Sequence, residues 1–93
     1  TTNVYNRSSI VRKNVLSRAN NCCEYCGEIG FLTTDGMHYL ETHHIIPLSE
    51  DGSDDELNVI ALCPNHHRIA HYGKDKLSIQ KSLTKKIIEI YGK

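Results

Sequence analysis

Two stretches carry most of the chemistry of this chain: Glu41-Thr42-His43-His44-Ile45-Ile46-Pro47-Leu48 and Cys63-Pro64-Asn65-His66-His67-Arg68-Ile69-Ala70-His71. All six histidines fall between residues 38 and 71, and four of them form two adjacent pairs. Upstream, Cys23 and Cys26 form a C-x2-C pair. Structural zinc is closed by four N or S ligands, whereas a catalytic ion keeps a position open. We interpret the chain as a small metal-stapled domain that also carries an active metal site.

Helix geometry separates the histidines of the second stretch. At about 100° per residue, His67 and His71 lie on one helix face and can share a metal ion. His66 points away from them and follows Cys63 by three residues. C-x2-C with C-x2-H is the spacing of a closed zinc site, so the predicted structural zinc ligands are Cys23, Cys26, Cys63 and His66. An irregular helix start would exchange His66 and His67 as the fourth ligand.

His67 and His71 need a further ligand, and the first stretch supplies His43. If that stretch is a strand, its alternation places Glu41 and His43 on one face and His44 on the other. One histidine of the pair is then expected to bind metal while its neighbour has another role. Glu41 is either the partner of a metal-bound histidine or an exposed strand carboxylate.

The pattern of apolar residues and turn residues predicts an α+β domain. Gly27, just after the second cysteine of the C-x2-C pair, is expected to adopt positive φ. The predicted elements are helix 7–20, a knuckle turn at 23–27, strand 37–43, a polar loop at 49–57, strand 59–62, a helix from 64 to about 71, and helix 76–91.

The size of the chain indicates a single domain, 1–93, with a lean core. It contains no Trp and one Phe among 93 residues, so a structural metal would contribute stability that a small core lacks. It begins at Thr1 without an initiator Met, and we expect it to be the catalytic fragment of a longer protein. No apolar run approaches a membrane span and no signal peptide is visible.

The cysteines could alternatively form disulfides in a secreted domain. Cys22 and Cys23 are adjacent, and Cys63 lies beside histidines, which favours zinc. The expected location is therefore the reducing cytoplasm, with Cys22 as a spare thiol.

The net charge of zero conceals a segregation of charge along the chain. Residues 1–20 carry four basic and no acidic residues, residues 21–60 carry nine acidic and no Lys or Arg, and residues 61–93 carry seven basic and two acidic residues. Basic ends could hold phosphates, although ordinary solvated helix faces explain them equally well. Arg68, beside His67, is the favoured phosphate contact; the other candidates are Arg12, Lys13, Arg18, Lys81, Lys85 and Lys86.

Residues 23 to about 73 resemble the HNH nuclease family. The residues that carry the resemblance are Glu41 to Leu48, Asn58, and Leu62-Cys63-Pro64-Asn65-His66-His67, with the C-x2-C pair typical of the zinc-bound members. The chain is most similar to the HNH domain of McrA-type modified-cytosine restriction endonucleases. It departs from many zinc-bound members in having His66 where they have a second Cys.

The resemblance implies a ββα-metal fold with flanking helices and a zinc knuckle. It implies that His44 is the general base, that His43 and His67 bind the catalytic ion, and that Asn58 bonds the backbone of the loop that carries the base. His71 adds a third imidazole, as in colicin-type nucleases. The implied cofactors are one structural Zn²⁺ and one divalent ion, Mg²⁺, Mn²⁺, Ni²⁺ or Zn²⁺, and the implied reaction is hydrolysis of DNA phosphodiester bonds.

Two alternatives stay open. A zinc-binding DNA-interaction module without catalysis would explain the thiolate set but would leave four histidines idle. A toxin or homing-type nuclease would share the reaction and differ in biological context. Cleavage of both DNA strands by a nuclease with a single site suggests a homodimer.

Overall fold

The computed structural model describes residues 9–92, and its secondary structure is of the α+β class. Helix α1 is followed by a two-stranded sheet and then by two further helices. The elements are α1 (Ser9–Ala19), β1 (Glu41–His44), a 3-10 turn (Leu48–Glu50), β2 (Val59–Leu62), α2 (Pro64–Tyr72) and α3 (Lys76–Tyr91). The predictions of the second strand and of the last two helices are confirmed, with α2 one residue longer than expected.

The two strands are antiparallel, and their alternation gives the sheet two different faces. His43 lies opposite Ile60, and His44 lies opposite Val59. All four residues of β2 are buried, so this strand forms the centre of the core. Helix α2 contacts the face that carries Glu41 and His43, whereas α1 contacts the face that carries Thr42 and His44.

The expected strand 37–43 is wrong at its beginning, since β1 spans Glu41–His44. The segment before β1 does not pair with β2. Within it, Leu32 and His38 form an isolated antiparallel bridge with each other. Gly36, with φ of 84°, lies in the turn between them. Apolar alternation alone could not distinguish this small self-paired segment from a strand of the main sheet.

The ends of the helices follow from local backbone chemistry. Helix α1 begins at Ser9 among the described residues, so residues 7 and 8 of the predicted helix lie outside them, and it ends where Asn20 and Asn21 adopt positive φ. Gly27 has the expected positive φ of 81°. Gly73 ends α2 in an extended conformation, where a Cβ atom would lie 2.7 Å from the carbonyl oxygen of Ile69.

The hydrophobic core is small and collects residues from every helix except α2. Helix α2 has no buried residue of its own and attaches to the rest through its polar groups and a few half-buried apolar contacts. The buried core residues are Val15, Ala19, Cys23, Leu40, Ile45, Val59, Ile60, Ala61, Leu62, Leu83 and Ile87.

Arg18 connects α1 to the knuckle through a bidentate ion pair. Its Nε and Nη2 atoms donate to the two carboxylate oxygens of Glu24 at 2.7 and 2.8 Å, and Glu24 also accepts the N–H of Ala61 at 2.9 Å. The other acceptors of the guanidinium are the backbone oxygens of Glu56 and Val59 and the hydroxyl of Tyr91. Burial alone would lower the pKa of Arg18, but the hydrogen bonds to Glu24 and Tyr91 outweigh it and raise the pKa. The guanidinium of Arg18 thus uses its donors within the fold, and we no longer regard Arg18 as a candidate DNA contact.

We expect Arg18→Gln to lower the free energy of unfolding by about 3–5 kcal/mol, because it leaves the carboxylate of Glu24 buried without its cation. Urea unfolding at fixed zinc concentration measures the change. Lys13→Gln removes the same charge from an exposed position of α1 and is the matched control, with an expected effect within about 0.5 kcal/mol. Equal shifts in the two variants would contradict a stabilising role for the ion pair.

Candidate active site and metal centres

The thiolate set lies between the knuckle turn and the start of α2. The ligand atoms of Cys23, Cys26, Cys63 and His66 lie within 4.8 Å of one another. The Sγ atoms of Cys26 and Cys63 are 4.0 Å apart, and Nδ1 of His66 is 3.2 Å from Sγ of Cys63. Sulfur atoms around a tetrahedral zinc ion are separated by about 3.8 Å, given Zn–S bonds of about 2.3 Å. The set could therefore hold zinc, and all four cysteines of the chain are free of disulfides.

The electrostatics of the thiolate set favour a bound cation. The N–H groups of Tyr25 and Cys26 both point at Sγ of Cys23 at 3.4 Å. Burial opposes ionisation of Cys23, but the hydrogen bonds from these N–H groups, from the backbone of Cys63 and from the Cys26 thiol outweigh it and lower the pKa of Cys23. Removal from water and the neighbouring thiols Cys23 and Cys63 raise the pKa of Cys26 to about 11. Three thiolates in so small a volume repel one another unless a dication neutralises them.

The imidazole set joins β1 to α2. The ligating nitrogens of His43, His67 and His71 also lie within 4.8 Å of one another. The Nε2 atoms of His67 and His71 are 3.2 Å apart, close to the spacing of about 3.3 Å around a tetrahedral ion with bonds of about 2.0 Å. Three ligands leave coordination positions free, and this donor set could hold a divalent transition ion.

Glu41 orients His67. Its Oε1 atom lies 2.7 Å from Nδ1 of His67, and its Oε2 atom accepts a hydrogen bond from the hydroxyl of Tyr39 at 2.7 Å. The hydroxyl of Tyr39 and then the imidazole of His67 lower the pKa of Glu41, which keeps it a carboxylate. A carboxylate on Nδ1 requires the proton there, so the lone pair of Nε2 faces the centre of the set. Of the two roles left open for Glu41, the structure shows the contact with histidine.

His43 is the buried member of the imidazole set, and only 8% of its surface is exposed. Burial, together with the neighbouring imidazoles of His67 and His71, lowers its pKa to about 4. Burial also lowers the pKa of His71. Both rings are thus neutral near pH 7 and can donate a lone pair to a metal ion without first losing a proton.

His44 lies beside the imidazole set and has different partners. Its Nε2 atom is 2.7 Å from Oδ1 of Asp54, on the loop between the strands. His44 nevertheless lines the same cavity, of about 180 Å³, as the imidazole set; the lining residues are Thr42, His43, His44, Leu48, His67 and His71.

Asn58 fixes the loop that follows β1. The residue is 7% exposed. Its Oδ1 atom accepts the N–H of Ile46 at 2.9 Å, and Nδ2 donates to the backbone oxygens of Ile46 and Ser53 at 2.9 and 2.8 Å. These contacts are those of a residue that steadies the loop and does not itself face the cavity.

Two exposed arginines lie on opposite sides of β1. Arg68 follows His67 on α2 and is close enough to Glu41 and His71 to influence their ionisation. Arg12 on α1 donates from Nη1 to the hydroxyl of Thr42 at 2.9 Å. Analysis of the sequence favoured Arg68 as a contact and gave Arg12 only as one of several basic candidates on the terminal helices.

Residues 23–73, more than half of the chain, match the family model of the HNH endonuclease. The chain belongs to the HNH endonuclease family. It is 47% identical to the Type IV methyl-directed restriction enzyme EcoKMcrA of Escherichia coli K12 over 73 residues, which are 77% of this chain and 26% of that enzyme. The resemblance to the HNH family, and to McrA-type enzymes within it, is thereby confirmed.

Two solved structures share the fold. The Type IV phosphorothioation-dependent restriction endonuclease ScoMcrA matches with a TM-score of 0.82 and 33% identity over 90% of this chain and 19% of that chain. The modification dependent TagI restriction endonuclease matches with a TM-score of 0.65 and 38% identity over 72% of this chain and 24% of that chain. The HNH chain thus spans about a fifth to a quarter of these relatives. Within residues 9–92, no helix has the length and apolarity that crossing a membrane requires.

We expect one zinc ion per chain at the thiolate set, with His66→Cys retaining it and His66→Ala losing both zinc and folded structure. A Cys restores a ligand of suitable type, and metal-binding energy is folding energy in so small a domain. Elemental analysis and circular dichroism measure the two effects. Cys22→Ser, outside the set, is the control and should retain zinc. A zinc-free folded protein, or a disulfide among these cysteines, would rule the site out.

We expect His71→Ala to weaken binding of a second divalent ion while the structural zinc stays bound. His71 is exposed, so its removal takes away a ligand and little packing. Calorimetric titration with Ni²⁺ or Mn²⁺, together with zinc content, measures both effects. His38→Ala is the matched control, because His38 bonds the oxygen of Gly30 and belongs to neither set. Unchanged Ni²⁺ and Mn²⁺ affinities in His71→Ala would remove His71 from the site.

Proposed function

We propose that the chain is the cleavage domain of a modification-dependent restriction endonuclease and that it hydrolyses DNA phosphodiester bonds. In this proposal His44 is the general base, and His43, His67 and His71 hold one divalent ion. A separate zinc ion at Cys23, Cys26, Cys63 and His66 holds the fold together.

The observation that carries the proposal is the cavity shared by His44 and the imidazole set. The ligand atoms of three imidazoles lie within 4.8 Å of one another, while the fourth histidine contacts a carboxylate oxygen 2.7 Å from its Nε2 atom. A purely structural metal site has no use for a further histidine beside it. A hydrolase needs a base next to a site for the phosphate, and neutral imidazole is suited to take a proton near pH 7.

The bound ion would stabilise negative charge on the scissile phosphate and on the departing 3′ oxygen. His44 takes a proton from a water molecule as the water oxygen bonds to phosphorus. The bond between phosphorus and the 3′ oxygen breaks, and its electron pair leaves with that oxygen, which then gains a proton from solvent. The products are a 5′-phosphate and a 3′-hydroxyl.

The three imidazole ligands influence which divalent ion supports cleavage. Three imidazoles are softer than the carboxylate and carbonyl oxygens that suit Mg²⁺, so we propose that Mn²⁺, Ni²⁺ or Zn²⁺ supports activity at least as well as Mg²⁺. Glu41, by fixing the proton of His67 on Nδ1, holds this ligand ready for the ion.

Recognition of the modification belongs to another part of such an enzyme in our proposal. The relatives are named for different dependences, one methyl-directed and one phosphorothioation-dependent, although both match this domain. What these enzymes share cannot be what distinguishes their modifications. This supports a role of the domain in cleavage alone.

Contacts with the DNA backbone follow from the charges around the cavity. The segment that carries β1 is acidic, so cations from the helices must hold the phosphates. We propose Arg68 as such a contact, since it is exposed and adjacent to His67 on α2. Arg12 is a second, because its bond to Thr42 places a guanidinium at the other side of β1.

The context follows from the same reasoning. One imidazole set serves one strand at a time, so we propose that double-strand cleavage takes two copies of the protein. Four reduced cysteines are compatible with action in the cytoplasm.

We expect His44→Ala to lower the rate of plasmid cleavage by at least about 10²-fold, the usual contribution of a general base. The rate of conversion of supercoiled plasmid to nicked and linear forms measures the loss, and the ratio of nicked to linear product reports on pairing of copies. The zinc content and the circular dichroism spectrum of His44→Ala should match those of the parent, and His38→Ala should cut normally.

Two outcomes would contradict the proposal. Parent-like cleavage by His44→Ala would overturn the assignment of the base, and a parent protein that binds DNA and never cuts it would favour the non-catalytic module.

A further inference from the structure

The hydrogen bond between His44 and Asp54 is the contact of the site that the proposed mechanism does not yet use. Nε2 of His44 and Oδ1 of Asp54 are 2.7 Å apart, and both side chains are largely shielded, with 15% and 20% of their surfaces exposed. Such a distance is typical of a hydrogen bond with a charged partner.

We propose that Asp54 is a positioning residue, which sets the tautomer and the ring orientation of His44 for proton abstraction. The inference rests on the proposed function and deepens it. An ionised carboxylate only accepts hydrogen bonds, so Nε2 of a neutral His44 must carry the proton. The lone pair is then on Nδ1, and Nδ1 is the atom that takes the proton from water.

The orientation matters as much as the tautomer. His44 stands at the end of β1 on the face that α1 contacts, and it also lines the cavity of the imidazole set. A ring free to rotate about its χ angles would often direct its lone pair elsewhere. The carboxylate holds one edge of the ring and thereby fixes where the opposite edge points, as the carboxylate of a catalytic triad does for its histidine.

The loop between the strands has side-chain bonds that do not depend on the contact between His44 and Asp54. The loop between the strands is already held by Asn58, which bonds Ile46 and Ser53, and by Asp55, whose carboxylate accepts the N–H of Leu57 at 2.8 Å. Those side chains bond backbone groups of the loop and its flanks. The carboxylate of Asp54 also reaches a side chain ten residues back, the imidazole of His44 in β1.

The first arm of the test uses the unmodified chain. In ¹⁵N-detected spectra of the imidazole rings, recorded at a pH where the His44 signals themselves show the neutral ring, we expect His44 to be the Nε2–H tautomer. A dominant Nδ1–H tautomer in the parent chain would overturn the proposal. This arm needs no variant and no cleavage, so it stands even if a variant folds poorly.

The second arm compares Asp54→Asn with Asp51→Asn. The amide that Asp54→Asn introduces can donate to Nε2 of His44 and so favour the wrong tautomer; we expect kcat to fall about 10 to 10²-fold, within the contribution of a general base, while KM and Ni²⁺ affinity stay near the parent values. Asp51→Asn makes the same change on the same loop at an exposed residue with φ of 67°, which an asparagine tolerates, and should leave kcat unchanged. Asp54→Glu, which keeps the carboxylate, should recover part of the loss.

The outcomes separate this proposal from the one on which it rests. If the parent cuts DNA and His44→Ala does not, then parent-like kcat in Asp54→Asn, or an equal loss in Asp51→Asn, overturns the role of Asp54 alone. A loss that appears in KM and not in kcat also overturns it, since it indicates a role in DNA binding. If His44→Ala itself cuts like the parent, the assignment of the base fails first, whatever the tautomer.

Discussion

The first turn of α2 serves two ligand sets at once, and the rest of the site depends on this constraint. His66 and His67 are adjacent, but successive helix residues point about 100° apart, so one faces the thiols and the other faces β1. Cys63, immediately before the helix, ties its start to the knuckle. Any ion at the thiolate set therefore also fixes the direction in which His67 and His71 point.

This dependence explains how a helix without a buried residue can hold the proposed ligands His67 and His71 in a fixed direction. α2 contributes little to the hydrophobic core, and a metal ion at the thiolate set would replace the packing that ordinarily holds a helix in place. The ion pair between Arg18 and Glu24 also holds separate elements together. Its hydrogen bonds link α1 and the knuckle turn to the backbone of β2. The domain is thus held at both ends by directional bonds around a small apolar centre.

The sequence predicted those parts whose signal is local. The spacing of cysteines and histidines and the boundaries of β2 and α3 depend on neighbours within one turn or one strand, and the structure brings the expected ligands together in the two expected groups. The partners of charged side chains were harder to predict. A charged residue in a loop, in a helix or at a strand end looks the same in the sequence whether its side chain is solvated or bonded to another residue. The partners of Glu41, Asp54 and Arg18 lie 26, 10 and 6 residues away and become neighbours only through the fold. The segment before β1 was misassigned for a related reason, since its alternation is satisfied by pairing with itself.

The adjacent histidines of β1 lie in two different environments, although the strand has only four residues. Alternation sends His43 into the interior, where burial and two further imidazoles keep it neutral, and sends His44 towards the loop, where a carboxylate meets it. Environments that differ so sharply over one residue are a usual way of assigning different roles to identical side chains. Because both rings are anchored to one strand, the backbone sets the distance between the proposed metal ligand and the proposed base, and DNA binding would not need to set it. Such a unit can be combined with different recognition domains without rebuilding its chemistry, which fits relatives that share this domain and are named for different modifications.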